Sequence, residues 1–267
     1  LADEQLAERF LKGRFPLWIK HQLREYLKHV DCPLAVRSSS LLEDAQFRAY
    51  AGLYRTYMIT NDCPDHERRL AHLVEAIKLV YASTYYQGPR AFSKRVGHRT
   101  EEEQMAVIVQ KLVGRHYGAS FYPAISGVPQ SYNYYPFARM KPEEGIVTMA
   151  MGLGKSVVEG GKTIRFSPAH PQLLPQRSTV DDILANSQRD FYALKMESSC
   201  GFLGTNDSAN LWHRQVADAE NDPPMALLAS TYVPDEHRIR DTVHVPGQRV
   251  LTFAHILKYQ EFPLAEL

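Results

Sequence analysis

Cysteine is scarce: Cys32, Cys63 and Cys200 stand far apart, with no CxxC spacing. Such a set suits neither a disulfide framework nor a zinc cage, and the expected setting is a reducing, cytoplasmic one. Long hydrophobic runs are also missing. No stretch approaches the roughly 18 apolar residues of a spanning helix, and no basic start precedes an apolar run at the N-terminus, so neither a membrane span nor an export signal is indicated. An excess of one charge is missing too. Thirty-one Lys and Arg against 30 Asp and Glu leave a formal net charge of +1. No global field draws nucleic acid or an anionic membrane, so neither is an expected partner, and any bound anion must be held by a local site.

Familiar site motifs fail residue by residue. Gly154-Lys155-Ser156 invites a phosphate-loop reading, but that motif needs glycine at 149 and Met149 stands there. Glycines 152, 154, 160 and 161 read instead as a strand end and the caps of a short helix, whose N-terminal amides still suit a phosphate. There is no HExxH, no GxGxxG and no nucleophile elbow, and His237 and His244 lack ligand spacing. No metal ligand is assigned.

What is present is ordinary for a folded globular chain. With 44% hydrophobic and 23% charged residues, the composition excludes a disordered tail, a collagen-like repeat and a coiled coil. Its 267 residues suit one large domain or two packed subdomains. The chain opens on Leu1 rather than Met, which raises the expectation of a piece of something longer.

The apolar spacing predicts one or two amphipathic helices over residues 1–30, broken near Gly13–Pro16. Pro33 to Val36 reads as a buried strand opening into a polar loop at Arg37-Ser38-Ser39-Ser40. Gln46 to Thr60 reads as an aromatic-rich strand or hairpin, and Arg68 to Tyr85 as a core helix. A basic stretch, Arg90 to Arg99, meets Glu101-Glu102-Glu103; this marks either a subdomain boundary near residue 100 or a solvated surface helix. Met105 to Val113 reads as a central strand. Strands follow at 118–122, 126–135, 145–150, 162–166 and 190–196, with a helix at 179–186. Residues 198–222 dissolve into loop, 198–245 look like an insertion, and 249–257 resume as a strand. Strands and helices do not alternate regularly, so the expected class is α+β.

Two positions stand out chemically. A guanidinium at a strand end binds phosphate through paired hydrogen bonds, which makes Arg37 an anion candidate; the same pattern also suits a structural salt bridge. Gln110 suits either a base-edge amide contact or a local backbone bond.

Together, four ordered blocks resemble the nucleotide-binding domain of the phosphoenolpyruvate synthase and pyruvate phosphate dikinase family. They are Ala35-Val36-Arg37-Ser38-Ser39-Ser40 through Asp44; Ala51-Gly52-Leu53-Tyr54-Arg55-Thr56-Tyr57; Met105 through Val113; and Ser126-Gly127-Val128 with Gly152-Leu153-Gly154 through Gly160. The match runs from about Pro33 to Pro168 and thins beyond residue 175. It implies an ATP-grasp-like fold of two packed subdomains with mixed or antiparallel sheets, here residues 1–99 and 100–267. It implies that ATP is held with Mg2+ and that a phosphoryl group passes through a carrier histidine to pyruvate. Arg37 would grip the ATP phosphates as both binding and catalytic group. Gly52 and Thr56 would lie in a turn near the phosphates, and Gln110, Leu112 and Val113 would line the adenine pocket. No ligand role is carried over to Ser126-Gly127-Val128.

The departures from that family are specific. Its phosphate-binding Gly-Gly-Lys segment has no counterpart before Arg37, since Lys12-Gly13 does not fit. The C-terminal strand that supplies magnesium ligands, the carrier-histidine block and the pyruvate barrel are likewise not in this sequence. The expectation is therefore the core of an ATP-dependent phosphotransferase, inactive by itself, with its metal ligands elsewhere. The rivals are a non-catalytic nucleotide sensor or scaffold, and a related dikinase whose acceptor is a glucan or an antibiotic.

Overall fold

The computed structural model describes residues 2–40, 43, 52–97, 104–196 and 206–261. The charge switch between His98 and Glu103, most of the segment from Leu41 to Ala51, and Cys200 lie outside them. The chain divides into two compact units. One comprises Leu1–Val113, Gly118–Phe121 and Leu194–Trp212; the other comprises Gly114–Tyr117, Tyr122–Ala193 and His213–Leu267.

In the first unit, helices α1 (Asp3–Lys12) and α2 (Leu17–Lys28) are separated at Gly13–Pro16 as the sequence predicts. Strand β1 (Leu34–Ser40) then pairs with β2 (Thr56–Ile59), and helix α3 (His66–Ser83) follows. Leu70, Leu73, Val74, Ile77 and Val80 recur at helical spacing and are buried, which forms a single apolar stripe along α3. The stripe packs on the inward residues of the sheet, Leu34, Val36, Tyr57 and Ile59. Each such aliphatic contributes about 1.5–3 kcal/mol by leaving water. Asp65 caps α3 by accepting the Glu67 N–H at 2.9 Å, a contact whose loss costs about 1 kcal/mol. Helix α4 (Gln87–Val96) carries the basic stretch and ends at Gly97, which adopts φ +76°.

A buried polar network fixes how the chain enters β1. Arg69 donates from Nε to Asn61 Oδ1 at 2.9 Å and from Nη2 to the carbonyls of Leu27 and Val30. Asn61 Nδ2 donates to the carbonyls of Val30 and Cys32, both at 3.0 Å. The end of α2 and the approach to β1 are thereby tied to α3. Inside a protein such carbonyls need partners, and these two side chains supply them.

Strand β3 (Met105–Lys111) completes this sheet in the order β2-β1-β3. It is antiparallel to β1 over its full length, from Leu34↔Lys111 to Ser40↔Met105. Two expectations change here. The boundary foreseen near residue 100 falls inside the first unit, because β3 belongs to the sheet of β1. Among the described residues β3 is also an edge strand, not a central one, and its residues alternate between half-buried and exposed.

In the second unit, β4 (Arg115–Tyr117) is followed, after β5 (Ser120–Tyr122), by β6 (Ser126–Gln130), β7 (Ile146–Ala150) and β8 (Ile164–Phe166). The last three form one antiparallel sheet in that order. Between β7 and β8, Gly152 turns the chain at φ +85°; a Cβ there would lie 2.8 Å from Tyr192 O. The helix that follows, α5 (Lys155–Val158), has four residues, and Lys155 Nζ pairs with Glu159 at 2.5 Å. It is too short, and its lysine too occupied, for the phosphate role considered above. Helix α6 (Val180–Asn186) is capped by Thr179 Oγ1, which accepts the Asp182 N–H at 3.1 Å. Strand β9 (Asp190–Lys195) follows; within the first unit it is antiparallel to β5 through Ser120↔Lys195 and Phe121↔Leu194.

The C-terminal third is more ordered than its composition predicts. Strand β10 (Leu211–Gln215) lies in the stretch expected to be loop. Helix α7 (Pro224–Leu228) and strands β11 (Ala229–Val233) and β12 (Arg238–Arg240) occupy much of the supposed insertion. Strand β13 (Gln248–Leu251) ends early and gives way to helix α8 (Ala254–Leu257), so the run 249–257 is not one strand. The sheet β12-β11-β13 buries Ala229, Val250 and Leu251. The cysteine reading also changes. Cys32 is free, whereas buried Cys63 is disulfide-bonded.

Candidate functional site

The side-chain period of two along a strand sorts the first sheet into two faces. Leu34, Val36, Ser38 and Ser40 turn toward α3; Ala35, Arg37 and Ser39 turn away from it. Register then decides what stands beside Arg37. Thr56 is its partner on β2 and Ile108 its partner on β3, while Ala35 pairs with Met58 and with Gln110. One face thus carries Arg37, Thr56 and Gln110 around an apolar patch of Ala35, Met58 and Ile108, with no acid among these residues. Arg37 and Gln110 are exposed, and Ile108 is 41% exposed. Among the described residues the Arg37 side chain has no hydrogen-bond or ion-pair partner, so the salt-bridge alternative for this residue is not realised.

The face has a direction. Gln110 lies diagonally from Arg37 across the β1–β3 ladder, a relationship of roughly 7–8 Å between backbones. It is on the side where β3 ends and Leu112 and Val113 follow. Leu112 is half-buried, and its N–H donates to Pro33 O at 2.8 Å. That donor is therefore spent and is not free for a base edge. Val113 is 79% exposed. On the opposite side, Thr56 begins β2, preceded by the turn that contains Gly52. Gly52 takes φ +74° with open space where a Cβ would be; an L side chain there costs about 1–2 kcal/mol.

The serines beside Arg37 divide between the two faces. Ser38 and Ser40 are buried on the α3 side. Ser38 Oγ donates to Glu43 Oε1 at 2.8 Å, and the Ser40 N–H donates to Glu43 Oε2 at 3.1 Å. They close the end of β1, and only Ser39 shares a face with Arg37. The alternation within Arg37-Ser38-Ser39-Ser40 already carried this signal. Sequence reasoning assigned nothing to Arg55, Asp207 or Asn210, which support β2. Arg55 Nη1 lies 3.4 Å from Asp207 Oδ1, and the Arg55 N–H donates to Ser83 Oγ at 3.1 Å. Asn210 Nδ2 donates to Met58 O at 3.3 Å. No local pattern announces pairs separated by some 150 residues.

A family model described as the AMP/ATP-binding domain of pyruvate phosphate dikinase matches residues 2–209. The chain belongs to this family. It is also similar to a phosphoenolpyruvate synthase from Deinococcus radiodurans, 31% identical over 153 residues, which is 56% of this chain and 17% of that protein. A protein of Bacillus subtilis named uncharacterized phosphotransferase YvkC is 30% identical over 143 residues, 54% of this chain and 15% of that one. The chain thus spans less than a fifth of the length of these curated relatives. The matched region includes the whole of the β2-β1-β3 sheet, so the face described above lies within an AMP/ATP-binding domain of a family with phosphotransferase members.

Magnesium was expected with ATP. Among the described residues no group of three or more His, Cys, Asp or Glu is placed to hold a metal ion. No step is assigned to a magnesium ion. Among the described residues no helix is long and apolar enough to cross a membrane.

Proposed function

We propose that this chain is the ATP-binding part of a phosphoenolpyruvate synthase-like phosphotransferase, its two units serving as ATP-grasp-like subdomains. The nucleotide lies along the outward face of the β2-β1-β3 sheet. Gln110 contacts the base edge, with Leu112, Val113 and Ile108 giving apolar cover. Arg37 grips the phosphates beside Thr56, and the Gly52 turn lets backbone approach them. An unpaired guanidinium binds phosphate through two parallel hydrogen bonds and neutralises charge as the phosphoryl group departs. In the intact protein, by analogy with the phosphoenolpyruvate synthase it resembles, that group passes through a carrier histidine to pyruvate, with Mg2+ held by residues beyond those described, in the cytoplasm.

The observation that supports this reading best is the register, which sets Thr56 opposite Arg37 and Gln110 one diagonal step away on the same open face. Calorimetric titration with ATP and AMP tests it. Wild type should bind, and Arg37→Ala should bind at least tenfold more weakly, because a charged hydrogen-bond partner contributes about 1.5–3 kcal/mol. Equal binding by the two proteins would remove Arg37 from the site. The chain alone should not turn ATP over. Turnover by it would refute the assignment of essential groups to the rest of the protein.

A further inference from the structure

Behind the sheet, in the same unit, a cavity of about 1120 Å³ opens between α1, α2, α3 and the inner side of β3. Phe10, Phe15, Tyr81 and Tyr85 form its walls, and Val107 and Val109 its floor. The Phe10 and Tyr85 rings stand 5.7 Å apart. Three cations line it, Arg9, Arg14 and Lys78, and among the described residues that line it none is acidic. Such an apolar chamber with a few charged groups of one sign is the usual form of a small-molecule site.

The cations divide into a builder and two free groups. Lys78 Nζ donates to Leu11 O at 2.8 Å and to Gly13 O at 2.7 Å, which pins the α1–α2 connection against α3. Burial pushes its ammonium pKa down, because desolvation disfavours the charged form. Arg9, on α1, and Arg14, on the connection so held, are exposed, and among the described residues neither side chain has a partner. A second orphan sits in the wall: Thr84 is 3% exposed and its hydroxyl has no hydrogen-bond partner.

We infer that this cavity is a binding site for a small amphipathic anion, a flat apolar body bearing one carboxylate or sulfonate. Its rings enter among the four aromatic side chains while its charge is met by Arg9 and Arg14. The charge pattern argues for that occupant over a neutral one, because two guanidinium groups without counter-charge face an apolar chamber that holds no acid. The site is distinct from the nucleotide face. Val107 and Val109 turn into the chamber, whereas Ile108 and Gln110 of the same strand turn to the other side.

Fluorescence titration of the protein with 8-anilinonaphthalene-1-sulfonate, and with N-phenyl-1-naphthylamine as the uncharged body, tests this. The sulfonate should bind one per chain. The Arg9→Gln/Arg14→Gln double variant should lower its affinity tenfold or more and leave the neutral probe within twofold. Ile19→Trp, which fills the chamber, should weaken both. Arg37→Ala should change neither probe, which separates failure here from failure of the nucleotide assignment. Matching thermal unfolding of the arginine variant and wild type shows that its fold is intact. The proposal is overturned if the sulfonate fails to saturate at one site, if the arginine changes affect both probes equally, or if Arg37→Ala alone abolishes binding. It is overturned as well if sedimentation shows a dimer that either probe dissociates, which would make the cavity an interface between copies.

Discussion

Arg37 stands directly opposite Thr56 in the β1–β2 ladder, on the face of the sheet turned away from α3. Its chain neighbour Val36 points the other way and is fully buried.

That contrast separates binding from stability within two residues. Val36→Ala removes two methyl groups from a packed core and should cost about 2 kcal/mol, with ATP affinity kept at temperatures where the variant is folded. Arg37→Ala removes an exposed side chain without a partner, so stability should stay within about 0.5 kcal/mol while ATP affinity falls at least tenfold. Urea unfolding and calorimetry on both variants decide this. Loss of both properties together in Arg37→Ala would mean a structural role.

Gln110 offers a second test of how the nucleotide lies. An amide at the base edge distinguishes adenine from guanine, whereas a phosphate contact does not. Gln110→Ala should therefore weaken ATP binding about three- to tenfold, in line with one neutral hydrogen bond, and should narrow the gap between ATP and GTP. Arg37→Ala should weaken both nucleotides by a common factor. A Gln110 variant with unchanged preference would place the base elsewhere.

The strands of this sheet were legible because their apolar residues are contiguous, and α3 because its stripe repeats at helical spacing. The rank of β3 within the sheet was not legible. Its run from Met105 to Val109 reads as a strand covered on both sides, yet Ala106 and Ile108 are exposed. Apolar residues on an open face look the same in sequence as residues in a core, and the nucleotide proposed to lie on that face would account for them. The ordered blocks single out candidate residues on β1, β2 and β3, but that Arg37, Thr56 and Gln110 share one face needed register. The C-terminal third was misread for a different reason. Its strands are three to five residues long and separated by Pro, Asp and Gly, so no window is long enough to display a period. The disulfide at Cys63 was also missed, since three cysteines without a spacing motif give no sign of pairing.

Arg69 should be a stability determinant rather than a binding one. Its guanidinium serves Asn61 and the carbonyls of Leu27 and Val30 in a buried setting. Arg69→Leu leaves Asn61 Oδ1 and the Leu27 carbonyl without this donor and the Val30 carbonyl with Asn61 Nδ2, and the loss should be at least about 3 kcal/mol. Asn61→Ala should cost less, because Arg69 keeps its bonds to the Leu27 and Val30 carbonyls. Since this network holds the entry to β1, hydrogen exchange should quicken across β1 in both variants. Unchanged exchange there would disconnect the network from the sheet.

The alkaline limit of stability should be set in part by Tyr122. This side chain is fully buried, against Phe191 at 4.9 Å between rings, and its hydroxyl donates to Asp222 Oδ2 at 2.6 Å. Burial first, and then the adjacent carboxylate, push its phenol pKa well above the ordinary value of 10.0; burial does the same at Tyr57. Above pH 10 the unfolded chain gives up these protons while the folded chain keeps them. The unfolded state then binds fewer protons, and stability must fall as pH rises. Urea unfolding should give a plateau from pH 7 to about pH 9.5 and a decline beyond it. Tyr122→Phe should cost about 1–3 kcal/mol at pH 7, since Asp222 loses a donor and keeps Arg214 at 3.6 Å. Because the variant has one fewer group to titrate, its decline should be shallower and the two curves should converge at high pH. A constant gap between them from pH 7 to 11 would show that Tyr122 does not titrate differently in the folded chain.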